Sequence, residues 1–540
     1  MQTDAASSLF LRSLGTADKL FFEKTICFFR ELWYDDKQDF YVVPRNRGGW
    51  KGADSMGKKW IRLLLPAAML LLLSGCLFRP PDELYKRPEK SAGYDQLATA
   101  IREVRSGLEA EFGVSVEDAV IVSGDNTAAI QLQDLDGDGQ RESTLSFIRV
   151  PGEEKSLKIY IFQQVGENYQ ATGLVEGAGA AIYSIDYADL NGSGSKELVV
   201  NWQVSAGVYQ LGAYTLDELE PEGQNAAVRL SQYQNQDRSK LLATELLLTS
   251  CSGASEGANS YASGYRLLDI DQDTRTEIAV VRIEAAGAGS RVEVYGWRDG
   301  SFASLSSAGL SAGVVTLNRV RSNYLSGDYY PPALYVTCTM PDGTKTIDVL
   351  AYRDGQLVNL SLDETGVSRN RLGSYVDVGL SDVNSDSVLE IPALRPLPVY
   401  GEGVSSNFWL IDWSQYNGQG QCAKVMTTYH NVADSWYLEI PESWDGMITI
   451  ARNDSLSGQR QVIFSLWQGW DQSPVPFLSI YRLTGSNRSI RVEEDDRFIL
   501  REEGEVIYAA KFYDCDWDCG LDQVGLMERF KTIQTSWSNE

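Results

Sequence analysis

Asp134-Leu135-Asp136-Gly137-Asp138-Gly139-Gln140-Arg141-Glu142 places an oxygen-bearing side chain at every second position and ends on a glutamate. Three later stretches keep that spacing. They are Asp189-Leu190-Asn191-Gly192-Ser193-Gly194-Ser195-Lys196-Glu197, Asp269-Ile270-Asp271-Gln272-Asp273-Thr274-Arg275-Thr276-Glu277 and Asp382-Val383-Asn384-Ser385-Asp386-Ser387-Val388-Leu389-Glu390. Apolar runs such as Leu198-Val199-Val200 and Ile278-Ala279-Val280-Val281 follow directly. Each stretch therefore reads as a polar loop between two strands, and its recurrence makes the loop the repeating unit of the fold.

Carboxylate and amide oxygens at alternate positions of a tight turn converge on one point, which suits a hard cation taking about six to eight oxygens, such as Ca2+. An EF-hand would need an acid at the twelfth position, where Leu145 stands. The closing acid instead sits at the ninth position. That spacing resembles the calcium loops of FG-GAP and VCBS-type repeats, found in integrin-like β-propellers. The resemblance implies Asp134, Asp136, Asp138 and Glu142 as ligands, with the Gln140 carbonyl as a fifth. By the same pattern it implies Asp189, Asn191, Ser193 and Glu197; Asp269, Asp271, Asp273 and Glu277; and Asp382, Asn384, Asp386 and Glu390. Ser193 replaces an acid, and Thr274 and Ser387 replace glycine, so calcium is expected foremost at residues 134–142. The competing reading is that all four are polar turns whose side chains cap backbone groups.

A second repeat accompanies the loops. Val292-Glu293-Val294-Tyr295-Gly296-Trp297-Arg298-Asp299-Gly300 matches Ile347-Asp348-Val349-Leu350-Ala351-Tyr352-Arg353-Asp354-Gly355, with looser copies at Leu157 to Phe162 and Phe408 to Trp413. Each follows a loop at a similar offset, counting Asn323 to Asp328 as a loop that has lost its acids. One loop and one hairpin per repeat describe a four-stranded blade, so a mainly β chain with a β-propeller over residues 116–420 is expected. Radial closure would spare such a chain long exposed edges.

Composition narrows the function classes. The 540-residue chain is 43% hydrophobic, enough for more than one ordinary core. Its formal net charge of −26 argues against nucleic acid as a partner, since phosphates need a basic footprint. His430, the single histidine, excludes mechanisms that need two imidazoles. Cys251, Cys338, Cys422, Cys515 and Cys519 lie beyond the N-terminal segments, and this odd number gives no complete disulfide framework.

Near the N-terminus Lys58, Lys59 and Arg62 precede an apolar run from Leu63 to Leu73, which ends in Leu73-Ser74-Gly75-Cys76. A basic region, a short apolar region and small residues before the break are the parts of a secretory signal. Leu-Ser-Gly-Cys also resembles the bacterial lipobox, which implies residues 56–75 as a lipoprotein signal peptide, cleavage before Cys76 and a diacylglyceryl anchor on its sulfur. The implied location is the extracytoplasmic face of a bacterial cell membrane. Residues 1–55 precede Met56 and read as an upstream extension outside the mature protein. Residues 76–115 read as a tether followed by a helix, with Leu97, Ile101, Val104, Leu108 and Phe112 on one face and Gly113 as its stop.

After Gln421 the repeats fade. Trp436-Tyr437-Leu438-Glu439-Ile440-Pro441-Glu442-Ser443-Trp444 is loosely similar to the Mog1/PsbP-like α+β group, which implies a smaller α+β domain over 421–540. The alternative is a degenerate last blade, because Asn453 to Gly458 followed by Phe477 to Leu483 repeats the loop-to-hairpin offset.

The catalytic patterns sought, a Gly-x-Ser-x-Gly elbow, a phosphate-binding glycine loop, a zincin helix and a dinucleotide fingerprint, are not found. Cys515-Asp516-Trp517-Asp518-Cys519 has no second Cys or His pair nearby and reads as structural. The reading that remains is a non-catalytic binding or scaffold module facing a surface protein or a glycan. Trp436, Trp444, Trp467, Trp470 and Trp517 are candidates to stack on sugars or to fill the core. Carboxylate-dependent action on a glycan is the alternative.

Overall fold

Ser143-Thr-Leu-Ser-Phe-Ile-Arg149 does not alternate polar with apolar, and in the computed structural model all of it except Arg149 is buried. A strand covered on both faces has no solvent side to pattern, so it reads as a continuous run. The residues described are 92–216, 241–255, 264–284, 289–327, 331–373, 378–400 and 408–533. The upstream extension, the signal segment, Cys76 and the tether lie outside them.

The chain is mainly β, built as successive antiparallel sheets. In the first, Glu117–Asp118 and Ile130–Gln133 both border Ser143–Arg149, which continues to Leu157–Val165 and Asn168–Gly177. The second runs Ala181–Ala188, Glu197–Ser205, Val208–Thr215, Thr244–Cys251, and the third Tyr265–Leu268, Glu277–Arg282, Arg291–Arg298, Ser301–Gly309. The fourth runs Thr316–Asn323, Ala333–Thr339, Lys345–Arg353, Gln356–Asn359, with Arg371–Leu372 beside Lys345–Arg353. Both repeated hairpins are third strands turning into fourth strands. Asp299-Gly300 and Asp354-Gly355 all have positive φ, which fits the turn twist that Asp-Gly supports.

The fifth sheet is Ile391–Pro396, Trp409–Tyr416, Cys422–Asn431, Trp436–Glu439 and Phe530–Thr532, and the sixth is Ile448–Asn453, Gln459–Leu466, Val475–Leu483, Val506–Phe512 and Phe498–Glu503. The boundary expected between 420 and 421 therefore falls inside a hairpin, whose two strands pair from Ile411 opposite Thr428 to Tyr416 opposite Cys422. Residues 448–512 form a further antiparallel sheet, and Asn453 to Gly458 spans the turn between its first two strands, the place the acidic loops hold in other sheets. The chain then returns through α3 (Gln523–Arg529) to add Phe530–Thr532 beside Trp436–Glu439, so the fifth and sixth sheets are linked in both directions. The described residues between 92 and 533 all belong to one compact unit.

Buried apolar clusters join each sheet to the next. Leu145, Phe147, Ile159 and Ile161 meet Ile182, Leu198 and Trp202 between the first and second sheets. Leu190, Val199 and Leu211 meet Tyr265, Ile278 and Val280 between the second and third. Val281, Val292 and Val294 meet Leu317, Leu334 and Val336, and Tyr335, Ile347 and Val349 meet Leu389, Ile391 and Tyr416. Trp436, Trp444, Phe464, Phe477 and Phe530 fill the space between the fifth and sixth sheets.

The outward faces of the two terminal sheets carry helices. On the first, α1 (Ala92–Phe112) packs Ala100 and Leu108, flanked by Leu97, Ile101, Val104 and Phe112, on Ile148, Tyr160, Phe162 and Leu174. Lys158 is buried there with its ammonium 2.6 Å from Glu176 and 5.7 Å from the centre of the Phe112 ring. On the sixth sheet, Val492 of α2 (Arg488–Val492) covers Tyr481, Leu483, Ile507 and Ala509. Each helix thus covers apolar residues on the face of its sheet that does not meet the neighbouring sheet described above.

A chain stopped after Gly420 loses the strand paired with Trp409–Tyr416 and uncovers the fully buried Trp413. It should aggregate or melt without the single cooperative transition of the full chain, as followed by far-UV circular dichroism. A cooperative melt at an unchanged temperature would instead place an independent folding unit upstream of 421.

Candidate metal centre

Each acidic loop connects the first and second strands of its sheet, or in the fifth sheet leads into Ile391–Pro396. Its conformation follows from two backbone positions. The fourth and sixth residues have positive φ in every copy: Gly137 and Gly139, Gly192 and Gly194, Gln272 and Thr274, Ser385 and Ser387. Glycine takes this conformation freely, whereas Thr274 at φ 75° is strained. The bend persists because side-chain oxygens hold it. Asp134 Oδ1 accepts from the Gly137 N–H at 2.8 Å and its Oδ2 from the Gly139 N–H at 3.1 Å. Asp189 does the same with Gly192 and Gly194 at 2.7 and 3.0 Å. Asp269 spans Asp273 and Thr274, and Asp382 spans Asp386 and Ser387.

The third-position oxygen then accepts the fifth N–H, and the fifth-position oxygen accepts the seventh. This holds for Asp136 and Asp138, Asn191 and Ser193, Asp271 and Asp273, and Asn384 and Asp386. The Gln140 amide also donates to Asp138 Oδ2 at 3.0 Å. One carboxylate oxygen of each such acid closes the turn; the second oxygen of Asp138 is taken by the Gln140 amide and that of Asp386 by the Asn384 and Gln415 amides.

The ninth-position glutamates separate the loops. Glu197, Glu277 and Glu390 each accept the second-position N–H, from Leu190, Ile270 and Val383, at 2.8, 2.9 and 2.8 Å. Side-chain donors reach two of them further. Glu197 Oε1 accepts from the Asn191 amide at 2.8 Å and from the Thr215 hydroxyl at 3.1 Å. Glu390 Oε1 accepts from the Gln415 amide at 2.7 Å, and the same nitrogen donates to Asp386 Oδ2 at 2.8 Å. In these two loops an amide N–H group occupies the place where acids converge. Thr215 and Gln415 lie on the strands that follow Glu197–Ser205 and Ile391–Pro396, and their roles come from sheet register, one step beyond the pairs Leu198–Tyr214 and Ile391–Ser414.

Glu142 differs, because both of its carboxylate oxygens are buried and neither has a hydrogen-bond partner. Ligand atoms of Asp134, Asp136, Asp138 and Glu142 all lie within 4.8 Å of one another. Desolvation, reinforced by Asp136, Asp138 and Asp134, pushes the Glu142 carboxyl above its ordinary value. Similar groupings join Asp269 with Asp271 and Asp273, and Asp382 with Asp386 and Glu390. Desolvation also raises Asp271, pushes Glu277 up to about 8 and pushes Glu390 up to about 7, with neighbouring aspartates adding repulsion. Asp386 is lowered: despite its partial desolvation, the Gln415 amide and the Val388 N–H favour its charge.

Consecutive loops touch. The Lys196 N–H donates to the Leu135 carbonyl at 2.7 Å, and the Thr276 N–H to the Asp189 carbonyl at 3.1 Å. The Lys196 ammonium lies 3.9 Å from Asp134 Oδ2. A Cβ at Gly137 would run into the Gly194 carbonyl, which is why this position of the first loop needs glycine twice over. Tyr324, in the loop without acids, bridges to Val388 in parallel fashion and so holds the same place in the succession.

Of the tryptophans considered for sugar stacking, Trp436 and Trp444 are core, Trp517 packs partly buried against that core, and Trp467 and Trp470 reach the surface.

No family model matches this chain, and no curated protein does. Among solved structures it is similar to a rhamnogalacturonan lyase from Bacillus licheniformis, at 13% identity and TM-score 0.25, covering 56% of this chain and 60% of that one. It is also similar to a putative 6-phosphogluconolactonase from Bacteroides uniformis, at 11% identity and TM-score 0.25, covering 64% of this chain and 86% of that one. Likeness at this level carries no functional argument.

Thr274→Gly should relieve the left-handed strain, worth about 1–2 kcal/mol, against an entropic cost of about 0.5–1 kcal/mol. A small net gain in urea-unfolding stability is expected, whereas Gly137→Ala should be clearly destabilising. Equal losses from both substitutions would show that the bend is not the constraint.

Proposed function

We propose that the chain is a lipid-anchored, extracytoplasmic, non-catalytic binding or scaffold module, stabilised by calcium at residues 134–142. The observation that carries the metal reading is Glu142, whose bare, buried carboxylate oxygens share a 4.8 Å cluster with three aspartates. The donor set fits a hard cation. Four carboxylates and the Gln140 carbonyl supply oxygen only, and water can complete a shell of about six to eight. Calcium would remove the repulsion that desolvation makes costly and would hold Ile130–Gln133 against Ser143–Arg149. The residues implied in the second and fourth loops, Asp189, Asn191, Ser193, Glu197 and Asp382, Asn384, Asp386, Glu390, fit it less well, because the Asn191 and Gln415 amides already answer their glutamates. The non-catalytic reading is supported by the use made of the acids, since each loop aspartate already accepts backbone N–H groups that shape the turn.

Ligand binding to the native state alone adds about 2.7 kcal/mol at a hundredfold excess over Kd. Calcium should therefore raise the melting temperature of the full chain, and chelation should reverse the rise. Asp136→Ala or Glu142→Gln should abolish most of the rise, and Asp382→Ala should change it less. A wild-type melting temperature indifferent to both calcium and chelator would leave the loops as polar turns.

The anchor is proposed from Leu73-Ser74-Gly75-Cys76. Among the described residues no helix is long and apolar enough to cross a membrane. Two acyl chains at about 0.8 kcal/mol per buried methylene give stable attachment. Cys76→Ser should move the protein out of the membrane fraction or leave an unprocessed precursor. Unchanged processing with radiolabelled lipid still incorporated would sink the assignment.

A further inference from the structure

In an antiparallel meander the first-to-second and second-to-third connections lie at opposite ends of the sheet. The acidic loops lead into Ser143–Arg149, Glu197–Ser205, Glu277–Arg282 and Ile391–Pro396, and the connection leaving each of these strands lies at the opposite end. At the other end, residues 397–400, which follow Ile391–Pro396 of the fifth sheet, meet the sixth sheet's link between Gln459–Leu466 and Val475–Leu483. Tyr400 belongs to the former, and Trp467 and Trp470 to the latter.

The three rings form one surface group. Trp467 and Trp470 stand edge to face with centroids 5.0 Å apart, and Tyr400 lies edge to face with Trp467 at 6.5 Å. Trp470 is 70% exposed and Tyr400 42%. The Tyr400 hydroxyl lies 3.0 Å from Ser473 Oγ, which ties the two connections together. The Trp467 N–H donates to the Met447 carbonyl at 2.7 Å, fixing the start of the turn.

These indoles differ from those of the core. Trp202, Trp413 and Trp444 are fully buried, and each donates its Nε1–H, to Tyr214, Thr428 and the Cys519 carbonyl. Among the described residues no acceptor is recorded for the indole N–H of Trp467 or Trp470. Trp467 is half-buried, but Trp470 fills no core and meets water over most of its surface, so it gains little for the fold and its presence there points to something it contacts.

The flanking chemistry selects the occupant. The turn reads Trp467-Gln-Gly-Trp-Asp-Gln-Ser-Pro474, with Gln468, Asp471, Gln472 and Ser473 all exposed and no lysine or arginine. Aromatic faces carry partial negative charge and attract the polarised C–H face of a sugar ring, while amides and hydroxyls bond its hydroxyl groups. Asp471, on a chain of net charge −26, disfavours phosphates, acidic sugars and an anionic membrane surface. We propose that Tyr400, Trp467 and Trp470 form a binding platform for a neutral polysaccharide. It gives the binding-module reading a partner class, and it rests on residues apart from the acidic loops.

The test is native affinity electrophoresis of the full chain in gels containing hydroxyethylcellulose, glucomannan or glycogen, with polygalacturonate and phosphatidylcholine vesicles as comparison probes. At least one neutral polysaccharide should retard the protein, in the presence of calcium or chelator alike. Trp470→Ala should weaken that retention by about tenfold, the size expected of a central aromatic contact, with the melting temperature unchanged because the ring is exposed. Tyr400→Phe should retain most of the binding. No retardation by any of the three overturns the proposal, as does retention unaffected by Trp470→Ala, or association confined to vesicles or polygalacturonate. Failure here leaves the calcium-dependent melting shift standing, and loss of that shift leaves the platform standing.

Discussion

In each acidic loop the first aspartate spreads its carboxylate over two backbone N–H groups across a left-handed bend, and the rest of the repeat depends on this contact. It replaces hydrogen bonds that a tight turn cannot make within its own backbone. Because it holds two residues at positive φ, the second strand leaves the loop in one direction only, and sheet register follows from there. That Gln272, Thr274, Ser385 and Ser387 adopt the glycine conformation shows the order of control. Side-chain oxygens and sheet pairing set the bend, and glycine only removes its strain.

Above that common frame the loops solve one problem in different ways. A glutamate at the start of a buried strand must find donors, since an unpartnered buried carboxylate costs far more than an ordinary hydrogen bond returns. Glu197 and Glu390 find them in a neighbouring N–H and in amides or hydroxyls from the same sheet. Gly296 stands opposite Glu277, one step beyond the pair Ile278–Tyr295, and brings no side-chain donor. In the first sheet the corresponding residue is Gln164, whose amide turns to the Gly166 carbonyl. A buried carboxylate answered by the protein's own amide is satisfied within the fold, whereas Glu142 stands bare in a cluster of acids.

The sequence was legible where structure is local. The loops, the Asp-Gly hairpins and the amphipathic stripe of α1 are short-range patterns with direct conformational causes, and each lies where its pattern places it. Long-range pairing was not legible. Nothing in Gln419-Gly420-Gln421 separates a domain linker from a tight hairpin turn, and the compositional change after 421 reflects bulkier aromatics between two sheets. The return of Phe530–Thr532 to Trp436–Glu439 leaves no sequence trace, because three residues carry no period. Thr215 and Gln415 were likewise invisible, since a hydroxyl or amide on a neighbouring strand acquires its role only when register sets it beside a glutamate. For the tryptophans, the strand pattern did not say which face of a connection would be covered, and only sheet packing separates Trp444 from Trp470.

Position along the array sets the first loop apart from the others. The second and third loops each donate from their eighth residue back to the loop before, Lys196 to Leu135 and Thr276 to Asp189, while the fourth bridges through Val388 to Tyr324. The first loop receives such a bond, but Arg141, its own eighth residue, has no preceding acidic loop to reach. Terminal units of repeat arrays lack one neighbour's worth of contacts and recover it by other means. On the outward face of the first sheet the substitute is α1, whose apolar stripe covers Ile148 and Phe162. At the loop end the contact concerned is polar, so an apolar helix cannot replace it, and it is there that Asp134, Asp136, Asp138 and Glu142 gather. The strongest acid cluster and the only bare glutamate among the four loops thus occur in the loop that has no predecessor.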